Sequence, residues 1–220
     1  MKQFLYGVVA ALVIMGFVLL NLPQFVVQEL RFHGHLRISE QELSAFSSFE
    51  PSNVFRRDPQ RIARAVEAHP WVLQARTLWD WPNHLTVVID ERVPVAVVSR
   101  DHVWYVLDSH GKVLPRPHTG SLPSLPVVTG LDLQDAEARR TAALVLRELP
   151  AMADAVISEW NSNDMMLITR DGIQVLIGEA TDMQRKYQVL GILIEELAAE
   201  QEQAVRIDLG SPSAPVVTFR

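Results

Sequence analysis

The sequence predicts an α+β protein: an N-terminal transmembrane helix, a small β-α-α-β-β module, then a mixed β-sheet domain with covering helices. Three observations predict it. Phe4 to Leu20 holds no charge, amide or proline. Two helix-start signals, Ser39-Glu40-Gln41-Glu42 and Asp58-Pro59, lie between strand-like runs at 26–32 and 72–91. From Pro94 onward strand-like runs outnumber helical ones, and Asp171-Gly172 marks a tight hairpin.

The N-terminal segment comes first. Eleven of the residues from Phe4 to Leu20 are Leu, Ile, Val or Phe. At about −0.3 to −0.6 kcal/mol each, their insertion into a bilayer is favourable by roughly 3–7 kcal/mol. A helix of this length spans roughly 26–29 Å, close to a hydrocarbon core. A cleaved signal peptide is the rival, but the exit Leu19-Leu20-Asn21-Leu22-Pro23-Gln24 lacks a small-x-small site. The expectation is an uncleaved span over 4–22 behind a short cytoplasmic tail, 1–3. Lys2 and the α-amino group precede the span, and Arg31 and Arg37 follow it. A tail so short is no functional domain, so the bulk is placed outside the cytoplasm.

The soluble part is read in order. Val26 to Phe32 is a strand ending at the Gly34 turn. Ser39 opens a capping box, and Leu43 and Phe46 share one face of a short helix. Residues 50–57 form a loop. Asp58 caps a second helix, with Pro59 in its first turn and Ile62, Ala65, Val66 and His69 on one face; Pro70 ends it. Strands follow at 72–78 and 85–91, joined by Trp81-Pro82-Asn83, with Leu85, Val87 and Ile89 on one face. Two helices then cover one side of three strands, and Trp71 plugs that core.

The second unit continues with strands at 94–99 and 103–107, a turn at Gly111, and a proline-rich loop over 115–126. A short strand at 126–130 leads to a helix over 133–149, capped by Asp132 and ended by Pro150. Residues 164–179 form a hairpin around Asp171-Gly172. Thr181-Asp182-Met183-Gln184 reads as a capping box for a helix to about Glu200, with Met183, Tyr187, Leu190, Ile194 and Leu197 in register. Two closing strands lie within 204–220, interrupted near Pro212.

Bulk properties narrow the function. The chain has 220 residues, enough for one or two domains beside an anchor. A net charge of −6 disfavours a nucleic-acid partner. The lack of cysteine excludes thiol catalysis, disulfides and Cys-based zinc sites. Asp90-Glu91-Arg92 invites an acid/base reading, yet Asp90 and Glu91 point to opposite faces of a strand and cannot share a substrate atom. A strand-end ion pair is expected instead. His33-Gly34-His35 has no third ligand at metal spacing. No glycine-rich phosphate loop and no Gly-x-Ser-x-Gly elbow is present. Neither catalytic residues nor a cofactor are expected. Trp79 and Trp81 are core and corner residues that, where exposed, can anchor a partner.

The strings "VVQELRFHGHLRISEQEL", "HPWVLQARTLWDWPNHLTVVIDERVPVAVV", "YVLDSHGKVL", "LPVVTG", "DGIQVLIGE" and "VRIDLGSPSAPVV" resemble the FtsQ/DivIB family of bacterial division proteins over nearly the whole chain. The Pro-Trp-Val, Trp-Pro-x-x-Leu and Glu-Arg-x-Pro-Val-Ala segments resemble a POTRA module, a small polypeptide-binding fold. The resemblance implies a POTRA module over 26–93 and a C-terminal β domain over 94–220. It also implies a single-pass inner-membrane scaffold with a cytoplasmic N-terminus, working at the division septum and binding FtsB and FtsL type partners. The family's last strand accepts a strand from its partner, a position matched here by Pro215, Val216, Val217, Thr218 and Phe219. Relatives carry an arginine and an aromatic after the Asp-Leu of the preceding strand. This chain has Gly210 and Ser211 there, so Arg206 or Arg220 would supply the charge contacts. Two other classes stay open: an anchored extracytoplasmic enzyme, which needs a pocket of converging titratable groups, and a POTRA-bearing export factor, which needs many amphipathic barrel strands.

Overall fold

A computed structural model describes residues 2–20, 22–53, 58–116, 124–149, 156–200 and 202–220. Helix α1 runs Lys2–Leu20, two residues earlier than the uncharged run begins. Side chains are described for its residues 6–18, and most of its large apolar ones are exposed, including Tyr6, Leu12, Val13, Ile14 and Phe17. Among the described residues no helix is long and apolar enough to cross a membrane. A single 3-10 turn, Pro23–Phe25, follows.

The chain divides into two compact units, the first running to Glu91 and the second starting at Arg92. In the first unit the expected strand at 26–32 is two strands, β1 (Val26–Val27) and β2 (Leu30–His33). The expected loop at 50–57 holds a third, β3 (Ser52–Asn53), which pairs antiparallel with β1; residues 54–57 lie outside the described ones. Helix α2 (Glu40–Ser47) starts at the Ser39 capping box, both of whose bonds form. Helix α3 (Pro59–Glu67) starts at Asp58, which accepts from the Gln60 N–H. Its buried face is Ile62, Ala63 and Val66, so Ala63 takes the place expected for Ala65. The helix stops before Pro70, because the residue preceding a proline is disfavoured in the α region.

Strands β4 (Val72–Asp80) and β5 (His84–Glu91) form the hairpin around Trp81-Pro82-Asn83, and β2 adds parallel to β5, giving the order β2-β5-β4. Leu85, Val87 and Ile89 are buried with Leu43, Val66 and Trp71, as the alternation requires. Gly34 has φ +88, and a Cβ there would meet the Ile89 carbonyl oxygen at 2.2 Å, so only glycine fits this turn.

Among the described residues, the second unit holds one nine-stranded sheet. Its strands are β6 (Pro94–Arg100), β7 (Val103–Asp108), β8 (Val113–Pro115), β9 (Val127–Thr129), β10 (Ile157–Asn161), β11 (Met166–Thr169), β12 (Gln174–Leu176), β13 (Ala204–Asp208) and β14 (Val216–Phe219). The spatial order is β14-β13-β12-β11-β10-β9-β6-β7-β8. Helix α4 (Ala136–Arg147) joins β9 to its parallel neighbour β10, and helix α5 (Met183–Glu200) joins β12 to its parallel neighbour β13. Both helices lie on one face. There Val98, Val128, Trp160, Leu167, Val175 and Ile207, one from each of six strands, pack with Ala142, Val145, Leu146, Met183, Tyr187 and Leu190. The Tyr187 hydroxyl donates to the Val145 carbonyl at 2.7 Å and ties the helices together.

Three expectations are corrected here. Strand β10 is absent from the sequence reading, because Ser158, Glu159 and Asn161 give Ile157–Asn161 no alternating apolar signature. The cap of α4 is Asp135, not Asp132: Asp135 accepts from the N–H groups of Glu137 and Ala138, while Asp132 accepts from Gln134 in the preceding turn. Helix α5 starts at Met183, and Asp182 before it has φ +51, so Thr181 stands outside the capping position. Pro150, expected to end α4, lies outside the described residues, as do 117–123 of the proline-rich loop.

Candidate functional site: an open sheet edge

The closing strands form an antiparallel hairpin in which Arg206 faces Thr218, Ile207 faces Val217 and Asp208 faces Val216. Among the described residues no strand lies beyond β14. Which of its amides face outward follows from the register. The Leu209 N–H donates to the Leu176 carbonyl at 2.8 Å, so odd-numbered residues of β13 turn their backbone groups toward β12. Arg206 and Asp208 then turn theirs toward β14, making their pairs with Thr218 and Val216 the hydrogen-bonded ones. Val217 and Phe219 therefore present their N–H and C=O groups to the open edge. Pro215, just before the strand, presents a carbonyl on the same side and no N–H.

The side chains sort by the same alternation. Val217 packs on the helix-covered core, whereas Val216 is 61% exposed on the opposite face, with Thr218 and Arg206. Phe219 is half exposed and shares the Val217 face. Arg220 lines a groove of about 600 Å³ with Ile173, Ile194, Leu197 and Ala204. Of the two candidate charge contacts, Arg206 lies on β13 opposite Thr218 and Arg220 follows β14, both exposed. The turn before β14 is set by Asp208, whose Oδ1 accepts from the Gly210 N–H at 2.8 Å.

Elsewhere the candidate polar groups serve the fold. The Glu91 carboxylate accepts from the backbone N–H groups of Leu36, Arg37 and Ile38 and pairs with Arg37 at 3.4 Å. Arg92 Nη1 donates to the fully buried Asp108 at 2.7 Å, and Asp108 also accepts from the N–H groups of His110 and Lys112. The expected strand-end ion pair is therefore two pairs, each reaching a distant turn in a different unit. His35 is held by the Ile38 carbonyl at 2.9 Å and by Glu40 at 3.6 Å. Among the described residues no group of three metal-ligating side chains occurs. Nothing in the local sequence marks Lys186 as a core residue. It is buried, and its Nζ donates to the carbonyls of Ile177 and Glu179 at 2.8 and 2.7 Å, fastening α5 to the end of β12. Burial, with the Glu148 charge adding to it, pushes the ionisation of Tyr187 far above its ordinary 10.0.

The order of modules defines a class. Residues 25–92 match the POTRA domain of FtsQ type, and residues 96–210 match the C-terminal domain of the cell division protein FtsQ/DivIB. This is a POTRA-bearing protein with a division-type β domain. The division protein FtsQ of Myxococcus fulvus is 30% identical over 210 residues, covering 89% of this chain and 73% of that one. FtsQ of Syntrophotalea carbinolica is 34% identical over 128 residues, which is 58% of this chain but only 45% of that one. The chain belongs to the FtsQ/DivIB family of bacterial cell-division proteins, a family of division proteins and not of enzymes. The extracytoplasmic domain of DivIB from Geobacillus stearothermophilus aligns with 50% of this chain and 97% of its own, at a TM-score of 0.38 and 21% identity, a likeness too weak to carry an inference.

Proposed function

We propose that this chain is a single-pass inner-membrane scaffold of the division machinery, whose β domain captures a partner segment as an added strand on β14. The observation that carries the proposal is the pair of outward-facing backbone units at Val217 and Phe219, on an edge strand that bears no charge before Arg220. An added strand would gain affinity from main-chain hydrogen bonds and specificity from Val216, Thr218 and Phe219, with Arg206 and Arg220 placed for acidic groups on the partner. The partner is of the FtsB and FtsL type. In this proposal α1 is the membrane span, with residues 1–3 cytoplasmic, the POTRA module over 26–93 and the β domain over 94–220 periplasmic, and the whole at the septum. Supporting the span, the described apolar side chains of α1 are exposed around its circumference, which suits lipid and not water. The test is a pull-down of division proteins from solubilised membranes with the natural chain and with Val217→Pro. Capture of FtsB and FtsL type proteins by the first and its loss from the second is expected; equal capture by a folded Val217→Pro variant would remove the edge from the mechanism.

A further inference from the structure

The β4–β5 hairpin tip is more apolar than a solvent-facing turn needs to be. Trp81 is 56% exposed, and Trp79 and Phe25 are half-buried. Trp79 and Trp81 have ring centroids 6.5 Å apart, and Trp81 meets the edge of Phe25 at 6.4 Å. Phe25 ends the 3-10 turn Pro23–Phe25, which begins three positions after the last residue of α1. Five peptide steps separate it from Leu20, two of them within that turn, so Phe25 lies at most roughly 15 Å from the end of the helix. The headgroup layer beyond a hydrocarbon core is about 5–8 Å deep. If α1 spans the bilayer, the ring contact holds the hairpin tip at or just above that layer.

We propose that Trp81, Trp79 and Phe25 form a membrane-interface anchor, and that a lipid headgroup surface is the occupant of this patch. The inference rests on α1 being the span. Indole rings favour this layer because they are apolar over most of their area and carry one N–H donor. At the same end of the module Arg31 and Asp80 lie 3.9 Å apart and offset each other's charge, so attraction to anionic lipid is not the driving term. The anchor sets the height of the POTRA module above the membrane and limits its rotation about the short connection from α1. Loss of the rings would leave the module tethered but free to lift.

The absence of cysteine makes the test direct, since single cysteines accept a nitroxide label without other changes. The full chain is reconstituted in phosphatidylcholine vesicles with the label at Asn83→Cys on the tip, at Asp171→Cys on a hairpin of the second unit, or at Ala11→Cys in α1. Collision rates with lipid-soluble oxygen and with a water-soluble nickel chelate are then compared. The expected oxygen-to-nickel ratio at Asn83 is severalfold above that at Asp171 and falls to the Asp171 value when Trp79→Ala and Trp81→Ala are added. Brominated phosphatidylcholine should also quench a part of the tryptophan emission that Trp81→Phe removes, a reading that needs no destabilising change. An Ala11 label in hydrocarbon with an Asn83 label in water overturns the anchor and leaves the span standing. An Ala11 label in water overturns both. An Asn83 label shielded from nickel but silent to oxygen and bromolipid puts a protein there and overturns the lipid assignment.

Discussion

Two edge strands of this molecule meet solvent in opposite ways. In the first unit β4 is one of the two outer strands of its sheet, and Glu67 on α3 accepts the Ala75 N–H at 2.9 Å from the side away from β5. A carboxylate thus caps the edge and lends it negative charge, while Arg76 and Asp80 add further charges along the strand. In the second unit β14 has Val-Val-Thr-Phe, outward amides at Val217 and Phe219 and, among the described residues, no capping side chain. Exposed edges invite pairing with other chains, and proteins usually blunt them. The difference matches the two proposals: contact through side chains at the hairpin tip of the first unit, and through the backbone of β14 in the second.

The largest effect expected is at Val217. Proline there removes an outward N–H and leaves the pairing with β13 intact, so partner-segment affinity falls about 100-fold or more, roughly 3 kcal/mol. Val217→Thr keeps the N–H and stays within about threefold. Titration of the partner segment, with thermal melts as the control for folding, checks both. Equal losses in the two variants would mean that β14, like the β4–β5 tip, is read through side chains.

Lys186→Met sharpens the contrast between binding edge and core. It removes a charged donor from two buried carbonyls, at a cost of about 2 kcal/mol in stability. Urea unfolding should show that loss, while the folded variant binds the partner segment as before. Glu67→Ala comes next, with about 1 kcal/mol lost and the Ala75 amide bared. Sedimentation at high concentration should then reveal self-association through β4, and a variant that stays monomeric would show that Glu67 is not what protects this edge. A stability effect of similar size is expected at Tyr187, where Phe costs about 1 kcal/mol at neutral pH and bares no edge. The raised folded-state ionisation also means that the unfolded chain loses its phenolic proton first. Stability is therefore untouched by this group below about pH 10 and declines as pH rises beyond it, a decline that Tyr187→Phe should lessen.

Much of this was legible in residue order. The Ser39 box, the Asp58-Pro59 start, the alternation of Leu85, Val87 and Ile89 and the Asp171-Gly172 turn each depend on neighbours a few positions away, and each formed as expected. The same locality explains the misses. Asp132 and Asp135 are both plausible caps, and only packing of Ala142, Ala143, Val145 and Leu146 on the sheet selects the later start. Strand β10 is polar at three of five positions and becomes a strand because β9 and β11 bond to it from either side.

The site divides along that line. The sequence by itself determined that the last residues form an uncharged strand and that two tryptophans flank a proline corner, because propensity and turn chemistry are local. Only the tertiary structure decided that β14 is outermost, that Val217 and not Val216 turns its amide outward, that Glu67 closes β4, and that Trp81 rests on Phe25. Those facts depend on strand order and register, which arise from contacts between residues far apart in the chain and leave no mark on any short stretch of it.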